Sequence, residues 1–210
     1  MTWRLFQLAD SAFPTGGFAH SFGLEAAAQA GEARDVAQFA REAVWQAGYG
    51  ALPLVRAAHV DPSALPALDA RADAFLVSHV ANRASRAQGR ALAFTCARIF
   101  PGEVAPPPPD LRMHLAPLWG CTLRALGVPL DEAQRLHLWS TARGVLSAAV
   151  RLGVAGTHQA QSMLSRLSPL LDEVQAACGG LGLESLAQTS PLIDLLQATH
   201  DTLYSRLFQS

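Results

Sequence analysis

The chain of 210 residues contains no lysine, and all 16 of its basic residues are arginine. A P-loop reaches the β- and γ-phosphates with a lysine, a protein kinase carries one on its third strand, and Schiff-base enzymes use one as nucleophile. Those chemistries are excluded, so any nucleotide hydrolysis tied to this protein's task falls to another chain. Charge of either sign is also scarce. Charged residues make up 16% of the sequence against 50% hydrophobic, with a formal net charge of −1, whereas ordinary globular proteins carry about 25% charged residues. So few solvating side chains predict that partners cover part of the surface. The arginines are scattered rather than clustered, which argues against nucleic acid or an anionic membrane as partner.

Long apolar runs are missing too. The longest stretches free of Arg, Asp and Glu, Ser11 to Leu24 and Leu152 to Ser165, are 14 residues each, below the ~20 needed to span a bilayer. No signal-type apolar core precedes Asp10, so a cytoplasmic location is expected. Cysteine is limited to Cys96, Cys121 and Cys178, widely separated among apolar neighbours and read as buried free thiols.

What the sequence does have is Ala and Leu at spacings of three and four, with few β-branched residues, and this predicts helix after helix. The expected fold is all-α, a single compact bundle of roughly ten helices spanning residues 1–210. The expected helices are Trp3 to Asp10, Phe18 to Ala30, Asp35 to Tyr49, Ala51 to His59, Ser63 to Ala81, Arg83 to Phe100, Leu111 to Leu126, Asp131 to Leu152, Thr157 to Arg166, Pro169 to Cys178 and Pro191 to Leu207. Gly31, Pro62, Pro101-Gly102, Gly127 to Pro129 and the Gly179 to Gly182 cluster punctuate them. Four consecutive prolines, Pro106 to Pro109, make residues 101–110 an extended surface loop. Ser190 is the expected N-cap of the last helix, with Pro191 at its first position. The aromatic-rich terminus, residues 204–210, requires a surface to dock on, in its own core or on a partner.

Candidate sites are few. Pro14-Thr15-Gly16-Gly17 ahead of Phe18 lacks the Gly-Lys-Ser/Thr of a phosphate loop and reads as a turn. The seven histidines form no His-Glu-x-x-His pair, and no Cys-x-x-Cys occurs; His200 beside Asp201 reads as a packing residue. No Gly-x-Ser-x-Gly is present. Arg135, Trp139 and Arg143 fall in one helical register and are the expected dimer face. Arg83, Arg86 and Arg90, three and four apart, read as a structural or solvated face, with an arginine finger for a partner GTPase as the alternative.

Three blocks together resemble the UreF family of urease accessory proteins, over essentially the whole chain and in order. The first is Pro14-x-Gly16-x-Phe18-x-x-Ser21-x-Gly23-Leu24-Glu25. The second is Ser85-x-x-Gln88-Gly89. The third is Pro191-x-x-Asp194 followed by His200 and Tyr204-Ser205-Arg206-Leu207-Phe208-x-Ser210. The resemblance implies an all-α protein without catalytic activity of its own; no cofactor site and no metal ligand are read from the residues. It also implies a homodimer that binds UreD (also called UreH) and recruits the GTPase UreG to deliver nickel to apo-urease. UreD binding is carried to His200, Tyr204, Ser205, Arg206, Leu207 and Phe208; the positions of the two earlier blocks are partner-binding or structural. One departure stands out: the family's Pro-Leu-Gly-Gln-Thr turn is replaced here by Val154-Ala155-Gly156-Thr157-His158. A partner contact at that turn would be altered in this chain.

Overall fold

The computed structural model describes residues 2–33 and 35–210. Its described residues are all-α, as the Ala/Leu periodicity predicts: α1 (Thr2–Ala9), α2 (Leu24–Gln29), α3 (Val36–Gly50), α4 (Leu52–Val60), α5 (Leu65–Phe75), α6 (His79–Ile99), α7 (Leu115–Ala125), α8 (Leu130–Arg151), α9 (Thr157–Cys178) and α10 (Pro191–Ala198), with short 3-10 turns and no strand among them.

α8 is the spine. Its Leu138, Ala142, Val145, Leu146 and Ala149 pack with α2, α3, α9 and α10 in one apolar cluster, while its Ala133 and Leu136 join α1, α4, α6 and α7 in a second. α8 buries side chains on more than one face, because the helix is surrounded rather than laid on a surface. Asp131 and Glu132 stand in its first turn and Arg151 in its last, matching the helix dipole. Close backbone approach needs glycine at two crossings. A Cβ on Gly120 of α7 would sit 2.3 Å from the Val55 carbonyl oxygen of α4, and one on Gly48 of α3 would sit 2.5 Å from Val174 of α9.

Several boundaries differ from the expected ones, each for an identifiable reason. The expected Phe18 to Ala30 helix is a 3-10 turn, Gly17–Ala19, then a break, then α2. Phe22 and Gly23 both adopt left-handed backbone, with φ of 59° and 88°, which no helix continues. α7 begins at Leu115 rather than Leu111, because the Asp69 carboxylate accepts the N–H groups of Arg112, Met113 and His114 at 2.5, 3.3 and 2.7 Å, and Met113 is left-handed. α5 and α6 divide at residues 76–78, where Ser78 caps α6 by accepting the Ala81 N–H.

Pro169 does not divide α9, which runs through it. The ~3 kcal/mol cost of an internal proline is offset by burial of Leu167, Leu170 and Val174 in the α8 cluster, where each such side chain contributes about 1.5–3 kcal/mol. α10 stops at Ala198 instead of Leu207, followed by a 3-10 turn at Thr199–Thr202 and an extended tail. Pro191 opens α10 as expected, but the Ser190 hydroxyl donates to the Glu42 carbonyl instead of capping α10.

Candidate functional site

The sequence blocks at the two ends of the chain meet in space. Gly16 and Gly23 are both left-handed and bend the chain so that residues 20–25 face the C-terminal tail. Glu25, in the first turn of α2 and 2% exposed, is the centre of this junction. Its carboxylate accepts His200 Nε2 at 3.0 Å, the Leu207 N–H at 2.5 Å and the Phe208 N–H at 3.1 Å. A buried carboxylate is tolerable only when its oxygens are engaged in this way. His200 is itself fully buried.

Beyond Glu25 the tail is held by backbone. The Ser21 N–H and hydroxyl both donate to the Ser210 carbonyl, at 2.6 and 3.0 Å, and the Gln209 N–H donates to Ala19. The Ser210 hydroxyl meets His20 Nδ1 at 2.6 Å. Burial, with Arg83 and His200 nearby, lowers the His20 pKa to about 4, so the ring is neutral at pH 7. The aromatic terminus thus docks on its own chain. Phe208 turns inward and is 5% exposed, while Tyr204 is wholly exposed and Leu207 half exposed.

Arg151, which no sequence motif marks as a site residue, joins both ends. Its guanidinium lies 3.8 Å from the Phe18 ring centre and 4.1 Å from that of Phe208, and it donates to the Phe18 carbonyl. Its only signal was its place at the C-terminal end of a long helix.

An ion cluster flanks the tail. Asp201 accepts two bonds from Arg83, at 3.0 and 2.7 Å, with His79 at 3.1 Å and Arg206 at 3.4 Å. The hydrogen bond from Arg83 holds the Asp201 carboxyl well below the usual carboxylate range, at about 2. Arg86 donates to the Arg112 carbonyl. Two of the three arginines in the α6 register are therefore engaged within the chain.

The middle block is not at the tail's backbone clamp. Ser85 receives the Leu115 N–H and contacts His114 Nδ1, both at 3.1 Å, and His114 Nε2 meets Asp73 at 3.1 Å. A hydrogen-bonded row of serine, histidine and aspartate has the outline of a nucleophilic triad, but the Ser85 oxygen is occupied by an N–H at the start of α7 and His114 is fully buried. The arrangement is a cap. Gly89 permits the same approach, since a Cβ there would lie 2.1 Å from the Met113 oxygen. Gln88 is buried and bonds the Ala84 carbonyl.

The residues expected on the dimer face occupy different settings. Arg135 is exposed and pairs with Asp172 of α9 at 3.1 Å. Trp139 packs at the edge of the second apolar cluster. Arg143 lies over the Trp139 ring at 5.1 Å and lines a cavity of about 770 Å³ that also reaches α3, α4, α6 and α7. The three cysteines are free; burial raises Cys96 to about 12 and Cys121 to about 11, which makes them inert thiols. No helix among the described residues is long and apolar enough to cross a membrane.

Known proteins share this chain's pattern from end to end. A match to the UreF family covers residues 30–168. Urease accessory protein F of Arabidopsis thaliana is 36% identical over 228 residues, spanning 100% of this chain and 93% of its own. Urease accessory protein F of Oryza sativa subsp. indica is 34% identical, with 98% and 84% covered. Urease accessory protein UreF of Cereibacter sphaeroides (strain ATCC 17029 / ATH 2.4.9) is 35% identical, with 98% and 97% covered. With its early, middle and closing blocks assembled as described and this likeness along its full length, the chain belongs to the UreF family of urease accessory proteins.

Proposed function

We propose that this protein is a non-catalytic scaffold of urease maturation, working in the cytoplasm as one 210-residue unit and as a homodimer. It binds UreD (UreH) and recruits the GTPase UreG, so that nickel passes to apo-urease when the GTPase changes nucleotide state. The coupling is a difference in binding free energy between the two nucleotide states.

The observation that carries this reading is the clamped tail. Glu25, Ser21 and Ala19 hold the backbone of residues 207–210, and this leaves Tyr204, Arg206 and Leu207 facing outward. A tyrosine, an arginine and a leucine on a pre-ordered segment bind without first losing backbone entropy. His200 and Phe208 are buried behind the segment, and Ser205, itself exposed, accepts the Gln29 side-chain amide at its carbonyl. Dimerisation is assigned to α8 around Trp139. The want of lysine fits a division of labour in which the P-loop belongs to UreG.

The test is a pull-down with the full chain as bait from cells co-expressing the urease and accessory genes. UreD and UreG co-purify with the wild type and are lost with a Tyr204→Ala/Leu207→Ala double variant that remains folded. Retention of both partners by that variant places the docking face elsewhere. Absence of both from the wild-type bait refutes the scaffold reading.

A further inference from the structure

The buried polar groups of this protein are, with few exceptions, matched inside the chain: Glu25 by three donors, Asp69 by three, Gln134 by Gly179 and Gln175. The buried exceptions among the described residues are Glu132 Oε2, Gln175 Oε1, His200 Nδ1 and Arg143 Nε, and of these Arg143 shares a face of α8 with two half-buried serines. Ser140, Arg143 and Ser147 stand at spacings of three and four and all line the 770 Å³ cavity. Among the described residues none of the three side chains has a hydrogen-bond partner, and Arg143 Nε is buried without an acceptor. The neighbouring Thr141 hydroxyl, by contrast, is bonded to His137.

Charge is unbalanced in the same place. The carboxylate that lines the cavity, Asp194, is held by Gln46 at 2.7 Å. Asp10 acts on Arg143 through its charge but forms no ion pair with it, and its oxygen is engaged by the Ala12 N–H at 2.8 Å. Trp139 covers one face of the guanidinium and leaves its edge donors free. Beside this polar stripe, and among other polar residues, the lining includes the large apolar side chains of Leu54, Phe75, Leu115 and Trp119. The volume lies within the range of small-molecule sites, which are apolar cavities with a few convergent polar groups.

We propose that this cavity binds an amphipathic carboxylate, its anionic end on Arg143, Ser140 and Ser147 and its aliphatic end along the apolar wall. Two hydroxyls and a guanidinium on one helix face supply donors in the number a carboxylate accepts. The apolar wall favours a carboxylate with a hydrocarbon chain over a fully hydrated inorganic anion.

Dodecanoate, below its micellar concentration, is the probe, titrated into the full-length protein by calorimetry and by tryptophan fluorescence, since Trp119 lines the site and Trp139 packs on Arg143. The expected result is one saturable site per chain, weakened at least tenfold by Arg143→Gln and restored to within a few fold by Arg143→Lys. Ser147→Leu, which replaces a proposed donor with an apolar side chain and leaves the guanidinium in place, weakens binding at least tenfold as well and covers the case in which Arg143→Gln fails to fold. Dodecanol binds the wild type and Arg143→Gln alike, and inorganic phosphate does not compete. No saturable dodecanoate binding to the folded wild type, equal binding by folded Arg143→Gln, or competition by phosphate overturns the proposal.

Discussion

Replacing Glu25 by alanine removes the one group that ties three parts of the junction together. The imidazole of His200 and the N–H groups of Leu207 and Phe208 lose their acceptor at once. A buried donor left unmatched costs about 1–3 kcal/mol, and all three are left unmatched together. The full sum is not reached globally, because the tail has an escape. Residues 203–210 lie outside any α-helix, so they can detach and let water satisfy the stranded donors.

What resists detachment is the burial of Phe208, about 1.5–3 kcal/mol, and the Ser21 and Ala19 bonds to the last two residues. The expected effect of Glu25→Ala is thus local, favouring tail opening by about 3 kcal/mol, or roughly a hundredfold at 1.4 kcal/mol per tenfold. Native-state hydrogen exchange measures it directly. Amides of Leu207 and Phe208 lose about a hundredfold in protection, while Val145 and Ala149 in α8 stay within a few fold of wild type. Unchanged protection at Leu207 and Phe208 refutes the clamp. A parallel collapse in α8 refutes the independence of the tail.

Other perturbations discriminate among the forces at work. Arg83→Ala costs under about 1 kcal/mol, far less than Glu25→Ala, because the Arg83 and Asp201 side chains are 51% and 30% exposed and such pairs are weak; chemical denaturation of both variants tests the ranking. Burial lowers His20 and His137 from 6.5 to about 4, so the unfolded chain takes up protons below pH 6.5 that the folded chain refuses until pH 4. Stability is therefore full above pH 6.5 and falls between 6.5 and 4, by on the order of 3 kcal/mol for each ring at 1.36 kcal/mol per pH unit; urea midpoints that stay level from pH 7 to 4.5 contradict this. Gly120→Ala drives a methyl into the Val55 carbonyl and lowers Tm by about 2–12 °C, whereas Gly180→Ala, facing open space, leaves Tm unchanged. Trp139→Asp yields monomers in light scattering if α8 carries the dimer; a dimer of unaltered mass assigns the interface to another surface.

The helices themselves were legible because Ala/Leu periodicity is a local signal, and the long ones, α3, α6, α8 and α9, are the ones packing rewards most. Their ends were less legible, since long-range hydrogen bonds decide them. Asp69 withholds three N–H groups from α7 across more than forty residues of sequence, and nothing near residue 112 announces it. Glu25 does the same to the tail across more than 170 residues. Pro169 misled in the opposite direction: a local breaker was overridden by the apolar face on either side of it. As for the site, the end blocks could be named from sequence, but their contact could not, because no periodicity reports that a glutamate in one block accepts N–H groups in the other.

That contact gives a physical reading of why the early block has its composition. Gly16 and Gly23 supply left-handed backbone, Ser21 supplies two donors to one carbonyl, and Glu25 supplies a two-oxygen acceptor for adjacent N–H groups. A receptor built from backbone contacts specifies the path of the tail and leaves the outward side chains unconstrained. Tyr204 and Leu207 can then change without unseating the tail, while Phe208 cannot, because its ring is enclosed and stacked on Arg151. Stability and partner choice are thereby assigned to different residues of one short segment. The consequence is measurable: Phe208→Ala should lower tail protection and partner binding together, and Tyr204→Ala should lower partner binding with tail protection intact. Loss of tail protection in Tyr204→Ala would show that the exposed ring helps hold the segment, and the separation of roles would fail.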